Sequence, residues 1–191
     1  DRMSGLFVDS IKDASNTKTL ATLSSSAVTL DSSVVFPAGG TGNPISIATV
    51  YDEKGTVDGG TATSGQWNIR DLNTTNDPNS IIVSLTSDQF TLSAGQYFIQ
   101  FSVPGFQVNT HQCRLYDVTG STALRLGSIA TSGSSDVVQT DSIGSVNHSP
   151  TSNNTYELHH RVASSKSTTG EGLGWGVGNN VYAQVIIYKL K

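Results

Sequence analysis

A chain of 191 residues, with 14% charged residues, 19 glycines and a single cysteine, Cys113, is long enough to bury one proper core and leaves no intrachain disulfide to stabilise it. The formal net charge of −4 and an isoelectric point near 5.4 give no electrostatic footprint for nucleic acid, which needs clustered Lys and Arg. No apolar run reaches the roughly 18 residues of a membrane span, so neither a nucleic-acid partner nor membrane insertion is expected. The N-terminus lacks the charged-then-apolar layout of a signal peptide. A chain opening on Asp1 is expected to be a fragment or a processed product.

In chain order, residues 10–42 are rich in Ser, Thr and Ala, with short apolar pulses at 20–23, 28–30 and 34–36. Each pulse is too short to build its own core, and an isolated hairpin is marginal in water. Residues 1–43 therefore read as an extended neck, trimerising or particle-attaching, that ends on Phe36-Pro37-Ala38-Gly39-Gly40. Residues 44–191 read as the domain. Strand-length segments separated by Gly, Asn, Asp, Ser or Pro fall at 45–52, 66–72, 81–86, 96–103, 112–118, 123–130, 137–146, 156–162 and 181–189. Over 96–103, Tyr97, Ile99, Phe101 and Val103 share one face, and that face is core. Eight to ten such strands and no helical period predict an all-β jelly-roll β-sandwich.

The last segment is apolar on both faces. Val181, Ala183, Val185 and Ile187 alternate with Tyr182, Gln184, Ile186 and Tyr188. Something must cover the second face, and an identical subunit is the simplest cover. Just before it, Gly170, Gly172, Gly174, Gly176 and Gly178 alternate with Glu171, Leu173, Trp175 and Val177. The run feeds a strand and carries no Lys, so it is not a phosphate loop. A strand face without side chains instead allows close approach, with Trp175, like Trp67, expected as a core or interface anchor rather than a sugar platform.

The stretch AGQYFIQFSVPGFQVNTHQCRLYDVTG (94–120), followed by TYELHHRV (155–162) and GLGWGVGNNVYAQVIIYKL (172–190), resembles the distal domains of bacteriophage tail fibres. SGQWNIRDLN (64–73) and the upstream residues 9–39 are similar to the segments that precede such a tip. These domains resemble the trimeric jelly rolls of complement and tumour-necrosis-factor proteins, in which a Gly-rich passage leads into a final strand near the three-fold axis. The resemblance implies a homotrimeric structural protein of a virion, with Tyr182, Gln184, Ile186 and Tyr188 facing the axis and the neck joined to other virion proteins. It leaves two roles open: a fibre tip that binds a host surface glycan or protein, and a capsid fibre or decoration subunit that is purely architectural. A secreted carbohydrate-binding or ligand module is a third reading.

If the tip is adhesive, contacts are expected from polar loops on a rigid scaffold, at 131–136 and 147–154: Ser132, Ser134, Asp136, Asn147, His148 and Asn153. No catalytic activity is expected. No GxSxG elbow is present, and the carboxylates Asp136, Asp141, Glu157 and Glu171 read as solvated loop groups without apolar surroundings. His111 and Cys113, two apart on a strand, share a face but are only two ligands; three copies of His111 at a symmetry axis would be the one route to a metal, and none is expected, nor any cofactor. His159 and His160 point to opposite faces and cannot chelate one ion together. The sequons at Asn73, Asn147 and Asn153 report loop composition. Asp52, Asp58, Asp77 and Asp88 read as turn formers.

Overall fold

The computed structural model describes residues 45–190 and, ahead of them, three short strands, β1 (Ser10–Lys12), β2 (Thr19–Leu23) and β3 (Val28–Leu30). The chain divides into two compact units, Asp1–Asn43 and Pro44–Lys191. In the first, β1, β2 and β3 pair in order as an antiparallel meander, with Ile11 opposite Ala21 and Ala21 opposite Leu30. Two of the three apolar pulses are thus strands that pair within the chain. The third, at 34–36, and the Pro-Gly stretch at 37–40 lie outside the described residues.

The second unit is an all-β sandwich. Its strands are β4 (Ser46–Lys54), β5 (Asn68–Ile69), β6 (Thr74–Asn76), β7 (Ile82–Thr86), β8 (Gln89–Leu92), β9 (Tyr97–Phe106), β10 (Thr110–Asp117), β11 (Thr122–Thr131), β12 (Gln139–His148), β13 (Asn154–Val162) and β14 (Asn180–Lys189). Sheet I has the order β12-β9-β14-β4-β6. Sheet II has the order β11-β10-β13-β8-β7, with β5 also paired to β13. All pairings are antiparallel. From β8 onward the chain changes sheet at every connection except β10–β11, which is the winding of a jelly roll.

Alternation places one face of each strand in a shared core. From sheet I come Ala48, Val50, Tyr97, Ile99, Phe101, Val103, Ala183, Val185 and Ile187. From sheet II come Phe90, Leu92, Cys113, Leu115, Tyr156 and Leu158. Phe90 and Tyr156 sit with ring centroids 5.3 Å apart, and the Tyr156 hydroxyl meets His148 Nε2 at 3.0 Å. Where β11 and β12 close the sandwich, Gly127 and Gly144 face one another; a Cβ on Gly144 would run into the Phe101 ring. The two sheets can approach there only because both positions lack a side chain.

Candidate assembly face and loop surface

The registers of sheet I fix which side chains look away from the core. Asn147, Phe98, Tyr188 and Ile47 form one cross-strand rung; Ser145, Gln100, Ile186 and Thr49 form the next; Ile143, Ser102, Gln184 and Tyr51 form the third. None of these twelve positions carries a charge. Phe98 and Tyr188 touch with ring centroids 5.9 Å apart, and a shallow hollow runs between Gln100, Ser102, Ile143, Gln184 and Ile186. Ile47 and Ile143 are exposed on the same face. An uncharged sheet face set with isoleucines and aromatic rings makes this surface a candidate for association.

Three of the four residues expected to look outward from the final strand do so: Gln184, Ile186 and Tyr188. Tyr182 does not. The pairing of β14 with β4 slips between Val181 and Gln184, and this bulge turns Tyr182 inward while leaving Val181 exposed. The ring lies against Gly172, where any Cβ would overlap it, and its hydroxyl donates to the Val57 carbonyl at 2.6 Å. The second expected apolar face is therefore one residue shorter than strict alternation implies.

The glycine run is not a strand extension either. Residues 170–179 run as irregular chain that opens on a turn and bends at 176–178, with Gly172, Gly176 and Gly178 at positive φ, the backbone region that glycine enters without penalty. This path leaves Trp175 at 81% exposure, so it is not a core anchor. Around it, Val57, Val137, Val138, Leu173 and Val177 are also exposed. These loops brace one another: Leu173 N–H donates to Gln139 Oε1 (2.8 Å) and Gly174 N–H to Asp58 Oδ1 (2.8 Å).

Strand direction places that apolar rim. The chain enters the sandwich at Ile45, at the end where Ser46, Lys189, Tyr97 and His148 are neighbours. The rim lies at the opposite end, where Lys54 meets Asn180 and Gln139 meets Phe106. The expected contact residues divide between the two ends. Ser132, Ser134 and Asp136 belong to the far end, although Ser132 is buried and its Oγ accepts the Val108 N–H at 3.1 Å. Asn147 and His148 are not in a loop: they are the last residues of β12, with Asn147 on the uncharged face and His148 held by Tyr156. Asn153 is exposed in the turn before β13, at the entry end.

Under the far-end loops lies a buried ionic cluster that the sequence did not announce. Arg70 is fully buried, with its Nη2 donating to the Glu171 carbonyl (2.8 Å) and its Nη1 3.6 Å from Glu171 Oε1. Glu171 is buried as well, so it is not a solvated loop carboxylate; nor is Glu157, which binds His159 Nε2 (2.6 Å) and Gln89 Nε2 (2.7 Å). Asp52 is buried on β4 rather than placed in a turn and accepts from Lys54 Nζ (3.0 Å) and Asn73 Nδ2 (3.1 Å). Burial raises the pKa of both Asp52 and Glu171 above the ordinary carboxylate range, against the pull of Lys54 and Arg70 respectively. Asp77 and Asp88 do act as turn formers, accepting the backbone N–H groups of Ile81 and Leu72.

His111, Cys113 and His160 all point into the interior. His160 Nε2 meets His111 Nδ1 at 2.9 Å, and His111 Nε2 meets Thr140 Oγ1 at 2.9 Å. Burial, with Arg70 nearby, holds His111 down to about 4 and His160 to about 2, so both rings are neutral. Burial pushes the Cys113 thiol up to about 11. A His111 enclosed in its own sandwich cannot reach a symmetry axis, which removes the three-copy metal route. Among the described residues, no group of three His, Cys, Asp or Glu is placed to hold a metal ion.

The strand order and the two-sheet core define this unit as a jelly-roll β-sandwich. No protein-family model matches the chain, and no curated protein sequence matches it. In structure it is similar to the globular domain of zebrafish complement 1qA protein, at 11% identity over 76% of this chain and 98% of that chain, with a TM-score of 0.49. It is also similar to murine APRIL, at 10% identity over 76% and 99% with a TM-score of 0.47, and to Eiger TNF from S. frugiperda, at 10% identity over 78% and 94% with a TM-score of 0.49.

Proposed function

We propose that this chain is a non-enzymatic binding module that assembles as a homotrimer through sheet I and serves as the adhesive tip of a fibre on a bacterial virus. The single observation that supports it most is the uncharged face formed by the three rungs from Asn147 to Tyr51. An exposed apolar sheet face in a monomer invites association, and three-fold closure removes it without opening a fibre of unlimited length. The sequence resemblance supplies the virion setting, with residues 1–43 joining the tip to other virion proteins. The receptor surface then falls at the end opposite Ile45, where Ser134, Asp136 and the Trp175 rim project; the receptor is a host surface glycan or protein. Three linked copies would raise a weak single-site affinity through effective concentration.

Light scattering of the purified chain tests the assembly: a mass about three times the 20.1 kDa chain is expected for the native protein, and monomer or aggregate for Ile186→Asp. A native monomer, or an unchanged Ile186→Asp trimer, overturns the sheet I interface. Host-cell binding and blocking of infection by the purified trimer test the adhesive role, and a trimer that does neither leaves the architectural reading in its place.

A further inference from the structure

The outward face of sheet II carries a feature that assembly through sheet I does not use. Its rungs are Ile129, Gln112 and Arg161; Leu126, Arg114, His159 and Ile69; and Ala123, Tyr116 and Glu157. Arg114 is fixed there from three sides. Its Cζ lies 4.2 Å from the Trp67 ring centroid and 4.8 Å from that of Tyr116, and its Nε donates to His159 Nδ1 at 3.1 Å. The His159 ring stacks on Tyr116, with centroids 4.9 Å apart, and its Nε2 donates to Glu157.

That chain of contacts assigns each proton. An Arg Nε is always a donor, so His159 Nδ1 is bare and His159 Nε2 bears the hydrogen given to Glu157. The only carboxylate on these rungs is therefore already satisfied, by His159 and by Gln89. Among the described residues neither Arg114 nor Arg161 has a carboxylate within ion-pair distance, and the two terminal nitrogens of Arg114 make no hydrogen bond to protein. Glu157 keeps its charge, since both of its partners are neutral, and acts on Arg114 through space; two guanidinium groups against one carboxylate still leave this face, on a chain of net charge −4, locally positive and complementary to an anion. Arg114 is also pre-positioned, so little side-chain freedom remains to be lost on binding.

Beside them lies a shallow hollow of about 200 Å³ lined by Thr110, Gln112, Ile129, Arg161 and Ala163. The Gln112 amide nitrogen is held by the Gly127 carbonyl at 2.8 Å, which leaves its Oε1 as an acceptor. Ile129, exposed at 70%, supplies an apolar wall. An apolar wall, one fixed acceptor and two guanidinium forks match a pyranose that presents a C–H face, hydroxyl groups and a carboxylate.

We propose that the outward face of sheet II binds a carboxylate-bearing saccharide, with Arg114 and Arg161 taking the carboxylate and Gln112 and Ile129 taking the ring. The site lies within one protomer and does not depend on the trimer or on the far-end loops.

Isothermal titration with oligogalacturonate, which carries one carboxylate per ring, tests it on the full chain, with maltohexaose as the neutral sugar and inorganic phosphate as the anion alone. Oligogalacturonate is expected to bind with an affinity that falls with salt, and to weaken about tenfold or more in Arg114→Gln and in Arg161→Gln. Arg114→Lys, which keeps the charge but not the fork, is expected to fall between. Thermal melting of each variant shows that the sandwich is intact. Absence of binding, binding unchanged in both glutamine variants, or equal binding of maltohexaose overturns the proposal. Phosphate binding as tight as that of oligogalacturonate overturns the sugar part of it. The mass by light scattering is a separate readout, so failure here and failure of the trimer are distinguished.

Discussion

The buried imidazole pair makes the stability of this sandwich depend on pH in a direction that can be worked out. His111 and His160 are held at about 4 and about 2, against an ordinary value of 6.5. Their folded pKa values are depressed because burial disfavours the cationic ring and Arg70 repels it. Both rings therefore favour the fold fully at pH values above 6.5, and that contribution is lost as pH falls, because the unfolded chain takes up protons that the folded chain refuses. At pH 5 an unfolded imidazole is almost wholly protonated while either buried one is almost wholly neutral. The cost relative to pH 7 is then about 2 kcal/mol per ring, and any folded value at or below about 4 gives nearly the same figure. The pair should lower the unfolding free energy by about 4 kcal/mol between pH 7 and pH 5. His148 and His159, also held low by burial, act in the same direction, whereas the raised carboxyls Asp52 and Glu171 oppose it. The comparison that isolates the pair is His160→Gln, which retains a polar atom near the Nε2 position but has no ring to titrate. Urea unfolding at both pH values and one protein concentration should show a pH-dependent loss about 2 kcal/mol smaller in the variant than in the native chain. Equal losses in the two proteins would refute the assignment of His160 as a neutral buried ring.

Other consequences of the interior can be measured as directly. Glu171→Gln leaves the fully buried Arg70 without its counter-charge and should lower the unfolding free energy by about 3 kcal/mol in urea titration. Gly144→Ala drives a methyl group into the Phe101 ring and should cost about 1–3 kcal/mol in the same assay, whereas Gly178→Ala adds its Cβ in open space and should cost less, from its positive φ alone. Cys113, buried and with its thiol pushed up to about 11, should resist iodoacetamide at pH 8 in the native protein and react only as the chain unfolds; fast native labelling followed by mass spectrometry would contradict its enclosure.

What was legible in the sequence, and what was not, follows from the range of each signal. Alternation is a local pattern, and it placed β9, β10, β12 and β13 within a few residues, since Tyr97, Ile99, Phe101 and Val103 repeat at the period a half-buried strand requires. The short strands β6 and β8 carry too few residues to show a period, and the expected strand at 66–72 shrinks to Asn68–Ile69 because its neighbours serve the loops. Alternation also cannot report a bulge. One slipped residue before Gln184 moved Tyr182 from the open face to the interior, and with it one of four expected interface residues. The glycine run signalled close approach correctly at Gly172, but positive φ at three of its positions turns it away from a strand and carries Trp175 into solvent.

The residues that reading in one dimension missed are those whose role needs a partner distant in sequence. Arg70 and Glu171 are 101 positions apart, His111 and His160 are 49 apart, and Arg114 on β10 meets Trp67, next to β5, across the intervening β13. Nothing at Arg70 alone marks it as buried, since an isolated arginine is more often solvated. The same long-range folding separates the two faces of the sandwich. Sheet I looks outward with uncharged rungs and sheet II with two guanidinium groups that lack an ion-pair partner among the described residues, so the three-fold closure proposed through the first would leave the second on the perimeter. An assembly of that kind would present three copies of the Arg114 site at fixed separations, and a polymeric acidic saccharide long enough to span them would bind the trimer far more tightly than its monosaccharide binds one protomer.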